Sequence, residues 1–235
     1  MPKVFIIFKK IKIMLNKNYF MPMTNQTIIK GVYDDEDMTK LQSPKKKEDK
    51  NKDLEVIFSE IDYGINIDES IIYFHGDIML GNLFDFVSKV RIILANRPED
   101  KKNDPINLLI NTNGGDVYEA NGIIDYMQSL SVPINVIARG RAMSAGAMIL
   151  CCGTGLRAAS KNTTIMMHEA SAEIFGKTAD IKANADHINQ LEEDFYALIA
   201  SKTNQDEEFW RKACRKDFYM SAEKALEYGI IDKII

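Results

Sequence analysis

From about residue 68 the apolar positions follow two alternating periods. Ser70-Ile71-Ile72-Tyr73-Phe74 is a continuous β-branched and aromatic run that predicts a strand. Between Leu80 and Ala95 the residues Leu83, Phe86, Val87, Val90, Ile93 and Leu94 return at helical spacing. The alternation continues with a strand over 106–110, a helix from about 117 to 130 and, after Pro133, a strand over 134–138. A short apolar helix then opens at Ala145, followed by strands over 156–159 and 164–167. Strands that alternate with helices predict an α/β fold with a mostly parallel sheet and right-handed crossovers. Residues 178–203 form one long helical pattern, with Ile181, Ala185, Ile188, Leu191, Phe195, Leu198 and Ile199 on its stripe and Glu192, Glu193 and Asp194 beside it. Such a stripe needs a surface to cover it. Its own domain or a second copy of the chain would serve, and the pattern does not choose between them.

Upstream the picture changes. Residues 34–52 are charged and polar, with Lys45-Lys46-Lys47-Glu48-Asp49-Lys50 at their centre, and bury too little apolar surface to offset the entropy of ordering. Residues 1–53 are therefore expected to be a mobile tail and residues 54–235 a single folded domain. The short apolar run Val4-Phe5-Ile6-Ile7-Phe8 is broken by Lys9 and Lys10, too short for a membrane span and without a secretory cleavage site.

In a chain of 235 residues, 46% hydrophobic content is enough for one good core. Thirty Lys and Arg against 34 Asp and Glu give a net charge of −4, which supplies no global positive field for nucleic acid. The three cysteines, Cys151, Cys152 and Cys214, are odd in number and lack paired Cys-x-x-Cys spacing, so reduced buried thiols in a cytoplasmic protein without structural zinc are expected. No metal site or cofactor is expected.

Three segments carry candidate chemistry. In Gly140-Arg141-Ala142-Met143-Ser144-Ala145-Gly146-Ala147 a serine stands among tiny residues at a strand-to-helix junction, accessible and next to free helix N–H groups. Ile110-Asn111-Thr112-Asn113-Gly114-Gly115-Asp116 places a Gly-Gly pair between a strand and a helix, where the backbone can take positive φ and aim an N–H outward. Thr163-Thr164-Ile165-Met166-Met167-His168 is a strand-like run ending in His. Taken singly, these read as a capped helix, a tight turn and a packed histidine.

In this order, the three segments resemble the Clp protease proteolytic subunit (ClpP) family, serine peptidases of the crotonase-like fold. That family carries its nucleophile in Gly-x-Ala-x-Ser-Met-Gly-Ala, its base in Met-x-His and its acid shortly before Phe-x-Ser-Ala. The resemblance runs from about Asp68 to the C terminus. It matches Ser144 to the nucleophile, His168 to the base and Asp217, in Lys216-Asp217-Phe218-Tyr219-Met220-Ser221-Ala222, to the acid. It implies a spiral head of ββα units with the long helix as a protruding handle, and a Ser-His-Asp endopeptidase that cuts unfolded proteins or peptides inside an oligomeric chamber. The N–H groups of Gly115 and Ala145 are the implied oxyanion hole, and Gly114, Ile174, Phe175 and Gly176 the implied substrate contacts. Homo-oligomerisation in stacked heptameric rings and a Clp-type ATPase partner are implied as well.

The pattern also departs from the family. The turn at Gly153-Thr154-Gly155 is slightly short, which predicts a displaced base, and the Gly-rich strand after the base is represented only by Ser171–Lys177. The usual N-terminal lead-in that docks the ATPase is missing. Asp206, Glu207, Glu208 and Asp232 compete for the acid's role, while His75 and His187 read as structural or surface residues. Two alternatives stay open. One is an inactive ClpP-like subunit; the other is a different crotonase-superfamily enzyme, acting on acyl-CoA or using a Ser-Lys pair.

Overall fold

The computed structural model describes residues 47–235, so most of the expected tail lies outside the described residues. Residues 51–235 form one compact unit. The first described helix is α1 (Lys47–Tyr63). The last turn of α1 is fastened to the sheet. Glu60 accepts from Asn66 Nδ2 at 2.6 Å and from the Tyr73 hydroxyl at 3.0 Å.

Two crossovers follow: β1 (Ile65–Asn66), β2 (Ile71–His75), α2 (Asn82–Asn96), β3 (Ile106–Thr112), α3 (Val117–Ser129) and β4 (Ile134–Met143). Strands β2, β3 and β4 are parallel neighbours. Alternate residues of β3, namely Ile106, Leu108, Ile110 and Thr112, are buried. Helix α2 turns Phe86, Val90 and Ile93 inward, and α3 turns Ala120, Ile123, Ile124 and Met127, the spacing that puts them on one helical face.

Strand β4 is ten residues long, where the apolar run alone predicted 134–138. Its first half pairs with β5 (Arg157–Ala159) through Val136–Ala138, and its second half pairs with β6 (Thr164–Met167) through Arg141–Met143. The switch occurs at Gly140, whose φ is +87°, beside a register shift between Ile110 and Thr112. One strand thereby feeds two directions of the sheet. After β4 comes α4 (Ala145–Cys151), in which every residue is buried. That explains its apolar composition on all sides.

Helix α5 (Thr178–Lys202) runs for 25 residues and fully buries only Tyr196 and Ile199. Its C-terminal half is clamped by α6 (Glu207–Ala213), where Arg211 donates to both carboxylate oxygens of Glu193 and stacks 4.8 Å above the Tyr196 ring. Near its N-terminal end, Ile181 is 40% exposed. The chain closes with β7 (Phe218–Met220), antiparallel to β6, then α7 (Ala222–Glu227) and β8 (Lys233–Ile234), parallel to β5. These short strands carry too few residues for a period to be read. The α/β class with a mostly parallel sheet matches the expectation. Among the described residues no helix is long and apolar enough to cross a membrane.

Candidate active site

Ser144 occupies the single residue between β4 and α4 with φ +52° and ψ −125°, a conformation that costs a non-glycine residue about 1–3 kcal/mol. Hydrogen bonds hold it there. Its N–H donates to the Met166 carbonyl at 2.8 Å, and its own carbonyl accepts from the amides of Ala147 and Met148. The small residues around it have a packing reason too. A β-carbon on Gly146 would stand 2.3 Å from Thr112 Cγ2, and one on Gly114 would stand 2.7 Å from Ser144 Cβ.

The Gly114-Gly115 turn lies directly against this junction. Both residues have positive φ, +95° and +141°. Ile78 grips the turn from the other side: its N–H donates to the Gly114 carbonyl at 2.7 Å, and its carbonyl accepts from Asp116 at 2.9 Å. A β-carbon on Gly115 would fall 2.2 Å from the Ile78 oxygen. The turn then enters α3, which Asp116 caps by accepting from the amides of Tyr118 and Glu119.

His168 follows the last residue of β6, one strand over from Ser144. Its Nε2 lies 2.8 Å from Ser144 Oγ, within hydrogen-bond reach. Its Nδ1 lies 3.6 Å from Asp217 Oδ1, beyond hydrogen-bond length. The Tyr219 hydroxyl donates to the other Asp217 oxygen at 3.4 Å. His168 is 26% exposed and Asp217 55%. The short turn at 153–155 leaves base and nucleophile in contact.

Ser144, His168, Gly115 and Ala145 line one cavity of about 390 Å³. Gly114 stands immediately behind it, packed on Ser144. The segment after His168 is irregular, with no strand between β6 and α5. Its first residues, from Glu169 to Ala172, line the cavity. Ile174, Phe175 and Gly176 lie beyond that lining, with Phe175 84% exposed.

The competing acids are engaged elsewhere. Asp206 caps α6 through the Phe209 amide, with Glu207 and Glu208 in that helix's first turn, and Asp232 pairs with Arg157 at 2.5 Å. His75 ends β2, and His187 Nε2 meets the Tyr118 hydroxyl at 2.9 Å. Among the described residues no group of three or more His, Cys, Asp or Glu is arranged to hold a metal.

Sequence reasoning missed the walls of the cavity. Met148 comes from α4, and Ile188, Leu191, Glu192 and Phe195 come from α5. The signal was present in the helical stripe, whose middle covers the cleft.

A sequence model of the Clp protease family matches residues 63–235 of this chain. ATP-dependent Clp protease proteolytic subunit 2 of Parasynechococcus marenigrum (strain WH8102) is 36% identical over 162 residues, 67% of this chain and 82% of that protein. Subunit 1 of Prochlorococcus marinus (strain MIT 9312) is 37% identical over 138 residues, 58% of this chain and 70% of that protein. The ATP-dependent Clp protease proteolytic subunit of Deinococcus radiodurans is 33% identical over 150 residues, 63% of this chain and 72% of that protein.

Proposed function

Because this chain belongs to the Clp protease family, we propose that it is a serine-type endopeptidase working through Ser144, His168 and Asp217. The observation that carries the reading is the 2.8 Å contact between His168 Nε2 and Ser144 Oγ in a cavity lined by Gly115 and Ala145. A serine hydroxyl is a weak nucleophile until a base takes its proton, and an unperturbed imidazole, with a pKa of about 6.5, suits that exchange at neutral pH. His168 accepts the Ser144 proton as Oγ attacks the peptide carbonyl. The resulting oxyanion is received by the N–H groups of Gly115 and Ala145, each worth about 3 kcal/mol in the transition state. His168 then protonates the leaving amine, and water attacks the acyl-enzyme by the same route in reverse. The charge of Asp217 stabilises the imidazolium and holds the ring.

The relatives' names support a role as the proteolytic component of an ATP-dependent protease. Assembly of copies into stacked rings, a Clp-type ATPase partner and unfolded proteins or peptides as substrates belong to the same proposal. Exposed apolar residues fit such assembly, among them Leu80 at 90% and Phe84 at 78% exposure. Gly114, Ile174, Phe175 and Gly176 are proposed to flank the substrate backbone, which pairs by main-chain bonds along the segment after His168. Among the described residues, none that lines the cavity is a lysine, which weighs against a Ser-Lys pair. The test is hydrolysis of short fluorogenic peptides without ATP. Activity lost in Ser144→Ala with the fold intact supports the reading, and activity unchanged in that variant overturns it.

A further inference from the structure

Helix α5 is held at one end. Its C-terminal half is clamped by α6 and carries the buried Tyr196 and Ile199, whereas residues 178–184 are all exposed. Between the two ends the helix borders the catalytic cleft. Ile188, Leu191 and Phe195, spaced to share one helical face, line the same cavity as Ser144 and Gly115.

The first turn of α3 lines that cavity too, through Val117 and Tyr118. Tyr118 stands on a fixed base, because its amide donates to the capping carboxylate of Asp116 at 2.8 Å, three residues from Gly115. From there its side chain reaches α5. The hydroxyl lies 2.9 Å from His187 Nε2, at hydrogen-bond distance, and the two rings stack with centroids 6.1 Å apart and an interplanar angle of 17°. His187 immediately precedes Ile188 of the cavity lining. Among the described residues, no other side-chain hydrogen bond, ion pair or ring contact joins residues 178–189 to the rest of the fold.

One exposed hydrogen bond with a ring stack shifts an equilibrium by only about three- to tenfold, a strength that holds a helix in place and still lets it yield. Resting on the peptidase reading above, we infer that Tyr118 and His187 form a clasp between α3 and α5 that sets how closely Ile188 and Leu191 approach a bound peptide. They are a positioning pair and take no part in the chemistry. With the clasp closed, the apolar face of α5 packs on the peptide. With it open, the peptide loses that contact, while Ser144 and His168 keep their 2.8 Å contact on β4 and β6. The clasp therefore acts on substrate binding and not on bond cleavage.

The test uses the full chain as wild type, Tyr118→Phe, His187→Ala and the double variant; phenylalanine keeps the ring and removes only the hydroxyl. Hydrogen exchange read by mass spectrometry is expected to show about three- to tenfold faster exchange confined to peptides covering residues 178–190, with those around Ile199 unchanged. On a fluorogenic peptide, KM should rise by a similar factor with kcat within about twofold, and the double variant should be no worse than the poorer single one. Unchanged exchange in both single variants overturns the clasp, as does faster exchange spread over the whole chain. Faster local exchange with KM unchanged, or with the loss in kcat alone, overturns its role in holding the substrate. Labelling of wild-type Ser144 by a fluorophosphonate probe, run in parallel, tests the peptidase reading separately. Faster local exchange without labelling overturns that reading and supports the clasp as a contact that closes the cleft.

Discussion

Met167 and Phe218 face each other across the antiparallel pair of β6 and β7. The residue after the first is His168 and the residue before the second is Asp217, so one step of register sets the imidazole beside the carboxylate. The Nδ1–Oδ1 distance of 3.6 Å and the 55% exposure of Asp217 make this the loosest link of the three-residue set. Asp217→Asn is expected to lower kcat on a fluorogenic peptide on the order of 10²-fold, less than the loss from His168→Ala, with the melting temperature unchanged. Steady-state kinetics on the two variants check the order.

Gly115→Ala is expected to destabilise the protein by about 2–3 kcal/mol and to depress kcat, because the new methyl would sit 2.2 Å from the Ile78 oxygen at a φ of +141°. Gly76→Ala, also at positive φ but with nothing within 4 Å of the added carbon, should cost less and leave kcat intact. Thermal melts and kinetics separate the two.

Arg157 links distant parts of the fold by donating to Asp232 and to the carbonyls of Cys151 and Lys202. Its removal as Arg157→Ala should cost about 2–3 kcal/mol in urea unfolding at neutral pH. Burial alone would raise the Asp232 carboxyl, but the hydrogen bonds and charge of Arg157 outweigh it and hold the group below the usual carboxylate range. A carboxyl depressed in the fold gives its full stabilisation above its unfolded pKa of about 3.9 and loses it as pH falls through the folded value. Wild type should therefore lose stability below about pH 4 more steeply than Asp232→Asn.

All three cysteines are buried and free. Burial pushes Cys151 up to about 12, Cys152 to about 11 and Cys214 to about 12, so thiolate is scarce near neutral pH. A thiol-reactive chromophore should modify none of them rapidly in the native protein and all three after denaturation.

Much of this architecture is written in periodicity. The strand centred on Leu108, the helix that buries Phe86, Val90 and Ile93, and the 25-residue helix at Thr178–Lys202 all have enough residues to show their period. The family was legible in the motifs around Ser144, His168 and Asp217, each uninformative alone. Less visible was the extension of β4 to Met143. Its second half, Gly140-Arg141-Ala142-Met143, is not an apolar run and is held by pairing with β6, a contact distant in sequence. The tiny residues leave Ser144 accessible, and Gly146 and Gly114 also make room for the side chains of Thr112 and Ser144. The stripe of α5 announced its need for cover without naming the cover, since Ile188, Leu191 and Phe195 meet the cleft through tertiary packing that no local pattern encodes.

The proposed peptidase activity requires that His168 make Ser144 nucleophilic. Intact-mass measurement after treatment with a fluorophosphonate probe, on wild type, Ser144→Ala and His168→Ala, tests this most directly. A single adduct on wild type that is lost in both variants is the predicted result. An adduct that persists in Ser144→Ala, or none on folded wild type, would contradict it.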